Sequence, residues 1–322
     1  MLANFGYITP MQGTLGKLLS HWVWVLPLLA MIGVLASFGA SLPVALVGIL
    51  LAGAVIAAVH HAELVAHRIG EPFGTLVLAL AVTIIELGLI VTLMSAAGEG
   101  AESLARDTVF AAVMIILNGL IGICLLIGGL RHREQSFQQT GVSASLATLS
   151  ALTVFSLVLP NYTVSEAGPV YSTSQLAFVA IVSVLLYGTF VAVQTVRHRD
   201  YFLPPKDKAA DVDVHADRPT AGAAGLSFAL LLVCLVSVVM LAKKLATPIE
   251  TMVDDWGAPR ALVGVIIAAL VLLPESVAAI RATLANRLQT SLNLALGSAL
   301  ATIGLTIPAV AALSMAMAMP IT

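Results

Sequence analysis

The chain has 322 residues, of which 59% are hydrophobic and only 10% charged, and its mean hydropathy is +1.03. These proportions exclude an ordinary water-soluble domain and point to an all-α polytopic membrane protein with the lipid bilayer as its surroundings. A formal net charge of −2 argues against a nucleic-acid partner, and two cysteines inside apolar runs, Cys124 and Cys234, make neither a disulfide framework nor a metal cluster.

In chain order, the apolar runs predict about nine helices, roughly at 21–39, 43–67, 72–97, 104–130, 142–160, 174–196, 226–247, 259–281 and 289–315. The first run follows a long segment carrying only Lys17 and is as long as a full span, so it reads as a retained helix rather than a signal peptide. Turn residues separate the runs: Ser41-Leu42-Pro43, Gly70-Glu71-Pro72, Pro160-Asn161, Gly168-Pro169 and Gly257-Ala258-Pro259. Residues 197–225 are mixed in charge, contain Pro204, Pro205 and Pro219, and read as a flexible cytoplasmic linker. The expected organisation is an N-terminal segment with the first helix (1–42), a five-helix repeat (43–196), the linker (197–225) and a second repeat (226–322).

Basic residues set the orientation. A cytoplasmic N-terminus puts Lys17, Arg68, Arg131, Arg133, Arg197, Arg199, Lys206, Lys208, Arg218, Arg281 and Arg287 inside, and leaves only Arg106, Lys243, Lys244 and Arg260 outside.

Two acids break the pattern of charges at helix ends. Glu86 lies within Leu76–Val91, and Glu275 within the otherwise apolar run Ala261–Ala279. A carboxylate in a span is costly and usually faces a partner, a water cavity or an ion. Each Glu follows the proline that opens its helix (Pro72, Pro259) by about 14–16 residues, or roughly 21–24 Å of helix. The two helices run in opposite directions. Weak similarity between halves of opposite orientation is the mark of an inverted-repeat transporter, with its site where the repeats meet.

The surroundings of the two acids support several readings. Thr83 sits one turn before Glu86, and Leu272, Ala268 and Gly264 precede Glu275 on its face; small residues serve either close packing or room for an ion. Pro274 either kinks its helix or frees the Leu270 carbonyl as an oxygen ligand. Ser298, Thr302 and Thr306 share a face of the last helix, while Asn293 and Asn118 lie within spans; all are candidate cation ligands or interhelical glue. His61, His67 and Glu71, near His60 and Glu63, form either a pH sensor or a solvated helix end. A membrane carboxylate holds a proton or a metal ion in competition, which is itself a route to exchange. No nucleotide-binding G-x-x-x-x-G-K-[ST] and no H-E-x-x-H or G-x-S-x-G occurs, so a proton gradient is the expected energy source and catalysis is not expected.

The segments His61–Gly74, Val82-Thr-Ile-Ile-Glu86, Leu273-Pro-Glu-Ser276 and Asn293–Thr302 resemble the cation/Ca²⁺ exchanger superfamily, most closely its ChaA-type bacterial calcium (sodium, potassium)/proton antiporters. The resemblance implies an inverted-repeat exchanger fold in the bacterial inner membrane, with Glu86 and Glu275 as the acids that bind the exchanged cation and protons. It implies that Ser298 and Thr302 are the polar positions of the following helix, that Ca²⁺, Na⁺ or K⁺ and protons are the cargo, and that no resident cofactor is needed. Such exchangers have eleven helices, so with about nine here the second repeat is expected to be incomplete. A passive cation channel and an inactive fragment that needs a partner are the alternatives. Nothing in the sequence sets an oligomeric state.

Overall fold

A computed structural model describes residues 21–70, 81, 83–88, 90, 101–203, 219–259 and 261–317. Every regular element among the described residues is helical, as expected of backbone that must satisfy its own hydrogen bonds in lipid. The chain forms two compact units. The first comprises Met1–Leu89 and Val212–Pro248, the second Ile90–Asp211 and Ile249–Thr322.

In the first unit, α1 (Trp22–Ala36) packs on α2 (Val44–Ile69). Pro43 caps α2, and Gly70 ends it at φ 80°, a conformation open to glycine. The stretch 83–88 is helical, while most of the helix expected over 72–97 lies outside the described residues.

In the second unit, α3 (Ala101–Met114) runs through a π turn (Ile115–Leu120) into α4 (Ile121–His132). Next come α5 (Gln139–Thr153) with a π turn at Val154–Val158, and α6 (Thr173–Ala192) with another at Val193–Arg197. Helix α7 (Ala221–Asp255), which belongs to the first unit as far as Pro248, is longer than the expected 226–247 and continues through that proline. The span expected over 259–281 is broken: α8 (Ala261–Val271) and α9 (Leu273–Leu284) meet at Leu272 with a bend of 56° between them. Helix α10 (Leu288–Ala301), a fourth π turn (Thr302–Thr306) and α11 (Ile307–Met317) complete the unit.

Six of these helical stretches are long and apolar enough to cross a membrane among the described residues, and the bent pair α8–α9 makes a seventh if counted as one span. The protein is a multi-pass membrane protein. Leu126, Leu130, Ile181 and Leu185 stay exposed, as side chains facing hydrocarbon must. The span beginning at Leu288 is the most buried one. Its Leu296, Leu300 and Ile303 pack with Ile116, Leu120, Leu152 and Tyr187 in a continuous core. Gly304 makes one of these contacts possible, because a Cβ there would lie 2.6 Å from the Tyr187 Cβ. Gly304→Ala is therefore expected to destabilise the unit by about 1–3 kcal/mol, read as a lower unfolding temperature of the purified protein.

The linker is not flexible at its start. Arg199–Phe202 forms a 3₁₀ turn, the His198 and Tyr201 rings stack 4.9 Å apart, and Phe202 is buried. Gly141 on α5 allows the Tyr201 carbonyl to approach its backbone closely. Residues 204–218 lie outside the described part of the chain, and 221–225 already belong to α7.

Candidate cation-exchange site

The two embedded acids fall one in each unit. In the first, Glu86 is only 4% exposed and shares its helical stretch with buried Thr83 and Ile85. Two residues on, Gly88 lets α7 approach, since a Cβ there would lie 2.8 Å from Val239 Cγ2. Glu86 and Thr83, one turn apart, are both buried.

In the second unit, the break at Leu272 alters the setting of Glu275. Pro274, expected in mid-helix, falls in the first turn of α9, where its missing N–H costs no helical hydrogen bond. Glu275 stands in that same first turn and is half-buried. A helix N-terminus carries partial positive charge and favours a carboxylate, while the C-terminal end of α8, just before the break, presents carbonyl oxygens. Two hydrogen bonds bridge the joint, Leu272 N–H to Ala268 O (3.0 Å) and Ser276 N–H to Leu272 O (2.9 Å). An acid and carbonyl ends thus meet within one broken span, suited to a hard cation.

Helix α9 packs on α10, which carries Ser298, and Thr302 opens the π turn beyond it. Thr302 and Thr306 are buried and Ser298 is half-buried. A π turn shifts the hydrogen-bond ladder by one residue and often marks functional positions. The π turn Ile115–Leu120 touches α9 as well, so two distorted helices flank the broken one. None of the π turns was legible in the sequence.

Two other expected ligands make hydrogen bonds of their own. Asn118 is exposed and its side-chain amide donates to Met114 O of its own helix (3.3 Å). The Asn293 amide donates to Phe202 O (2.6 Å), and its oxygen accepts from Gln289 Nε2 (2.9 Å). Gln289, 1% exposed, accepts in turn from the Gln138 N–H (2.6 Å). Asn293 is therefore the end of an amide chain that fastens the linker's first turn to α10. Nearby, Gln135 donates to Thr283 O and to Asn286 Oδ1, each at 3.2 Å, and Asn286 adopts a left-handed φ of 58°. Sequence reasoning missed this network, although an Asn just past a helix end is a usable signal for a left-handed cap.

The His60 and His61 rings meet edge to face, 5.7 Å apart. His61 is buried and donates from Nε2 to Val23 O (3.1 Å), tying α2 to α1, and the His60 ring lies 5.1 Å from Trp22. His67 is exposed in the last turn of α2, a favourable place for a basic group at a helix C-terminus. Glu71 lies outside the described residues.

Among the described residues no three His, Cys, Asp or Glu side chains converge.

The sequence profile of the sodium/calcium exchanger protein family matches residues 37–196 and 226–321. The chain belongs to the sodium/calcium exchanger family. This exchanger chain is 49% identical over 302 residues to y4hA of Sinorhizobium fredii, whose name assigns it ionic transport only provisionally; the match covers 92% of this chain and 82% of that protein. It is 38% identical over 296 residues to the sodium-potassium/proton antiporter ChaA of Escherichia coli, covering 89% of this chain and 79% of ChaA. Among solved structures its fold is similar to the H⁺/Ca²⁺ exchanger CAX (TM-score 0.66, 15% identity, 93% of this chain and 76% of that one). It is also similar to native YfkE (TM-score 0.62, 18% identity, 94% and 83%). The relatives are transporters rather than enzymes by name, and the exchanger fold expected from the resemblance is present.

Proposed function

We propose that the chain is a secondary transporter that carries Ca²⁺, Na⁺ or K⁺ out of the cytoplasm in exchange for protons by alternating access. The proposed setting is the bacterial inner membrane, with the N-terminus in the cytoplasm. The observation that carries this reading is one acid in an apolar helix of each unit, Glu86 buried beside Thr83 and Glu275 in the first turn after a break. The 38% identity to a sodium-potassium/proton antiporter supports the choice of protons as counter-ion.

In this mechanism each carboxylate holds either a proton or a share of a cation. A cation nearby favours the ionised acid and expels the proton; loss of the cation in low-dielectric surroundings favours the neutral acid. Thr83 is the hydroxyl proposed to act beside Glu86, and Ser298, Thr302 and the carbonyls at the end of α8 are those proposed beside Glu275; the Asn293 oxygen already accepts from Gln289, and Asn118 is exposed. Coupling follows if the protein rearranges only when its acids are protonated or cation-loaded, because neither ion then crosses without the other moving back.

The test uses everted membrane vesicles loaded acid inside, with a pH-sensitive dye, and Ca²⁺, Na⁺ or K⁺ added in turn. Cation-triggered alkalinisation of the lumen is expected, and the ion that evokes it names the substrate. Cation uptake without proton movement would replace this mechanism with a passive channel.

A further inference from the structure

At one end of the second unit lies a half-open cavity of about 70 Å³ that the exchange site does not use. Most of its wall is apolar, including Val109, Leu157 and Val310, but two polar side chains reach into it: Arg106 from α3 and Ser156 from the π turn after α5. Arg106 Nε and Ser156 Oγ are both buried and have no hydrogen-bond partner in the protein. Buried polar groups are ordinarily satisfied, so two orphaned donors around one cavity need an explanation. Tyr171, also in the wall, does not satisfy them, because its hydroxyl donates to Phe155 O and burial pushes it above the usual phenol range.

The groups define their ligand by complementarity. Two unspent donors, one of them cationic, call for a negatively charged acceptor. Asp107 Oδ1 lies 4.0 Å from Arg106 Nε, an ion pair too long for a hydrogen bond. Its charge offsets part of that of Arg106 and so favours a monoanion over a dianion. The apolar wall suits carbon rather than hydrated salt. Depth points the same way: Arg106 opens one span, Pro160 closes the next and Leu176 lies in the first turn of the third, which sets the cavity where a membrane meets water.

We propose that this cavity holds the phosphodiester headgroup of an anionic phospholipid, with Arg106 and Ser156 as its donors. An anionic lipid meets all three requirements: a monoanionic oxyanion, carbon beside it, and a phosphate at interface depth.

The test is native mass spectrometry of the purified full chain with phosphatidylglycerol or phosphatidylcholine added, for wild type, Arg106→Gln and Ser156→Ala. Wild type is expected to retain phosphatidylglycerol over phosphatidylcholine by roughly tenfold, Arg106→Gln to lose that preference, and Ser156→Ala to reduce it by roughly threefold. Cation-driven proton movement by Arg106→Gln should match wild type and report an intact fold. Ser156→Ala removes a hydroxyl that bonds nothing in the protein, so it folds and keeps the test decisive if Arg106→Gln does not. Retention by Ser156→Ala equal to wild type, or by a folded Arg106→Gln, overturns the proposal. Displacement of phosphatidylglycerol by millimolar inorganic phosphate overturns the lipid assignment and makes this a free-anion site.

Discussion

Glu275→Gln and Glu86→Gln are each expected to reduce cation-driven proton movement by roughly 100-fold or more, equivalent to at least about 2.7 kcal/mol of lost charge interaction. Glutamine keeps the shape and the hydrogen-bonding oxygen, so insertion should be unchanged; what disappears is the group that trades a proton for a cation. The vesicle assay with a matched measure of inserted protein separates the two. In wild type, the cation concentration for half-maximal response should rise as pH falls, because protons and cations compete for one carboxylate. Below the apparent pKa of the site the rise is about tenfold per pH unit for each competing proton. Full activity in either glutamine variant removes that residue from the mechanism.

The second large effect concerns stability. Gln289→Leu leaves the Gln138 N–H without its acceptor and the Asn293 oxygen without its donor, both in a part-buried place. Each orphaned group costs about 1–3 kcal/mol, so a loss of about 2–6 kcal/mol is expected, read as a drop in unfolding temperature. Asn293→Ala should cost less alone and add little in the double variant, because both act through one chain of amides. A fall in cation affinity with unchanged stability in Asn293→Ala would instead make Asn293 a ligand.

What the sequence displayed and what it hid follow from physical causes. Apolar runs and embedded acids are visible because the cost of charge in lipid makes every exception conspicuous; Glu86 and Glu275 stood out for that reason. Pro274 announced a disturbance, but its place in the first turn of a new helix depends on the break at Leu272, whose apolar neighbours carry no signal. The π turns at Ile115–Leu120 and Thr302–Thr306 were hidden for the same reason: inserting one residue into a helical ladder leaves composition untouched. Polar residues in spans were visible as residues but not as partners. Asn293 and Thr302 look alike in sequence, and only packing reveals that Asn293 reaches the Phe202 carbonyl.

The broken span also has mechanical meaning. Along α8, Gly264 brings the backbone against Asp107 and Thr108 of α3, a Cβ there lying 3.1 Å from the Thr108 nitrogen. At the far end of α9, the carbonyls of Thr283 and Leu284 accept hydrogen bonds from Gln135 and His132, just beyond and at the end of α4. Each half is thus pinned at its outer extremity to the opposite ends of one neighbouring span. A continuous rod held this way would spread any distortion along its length. Two levers sharing a pivot gather it at Leu272 instead, three residues from the Glu275 carboxylate.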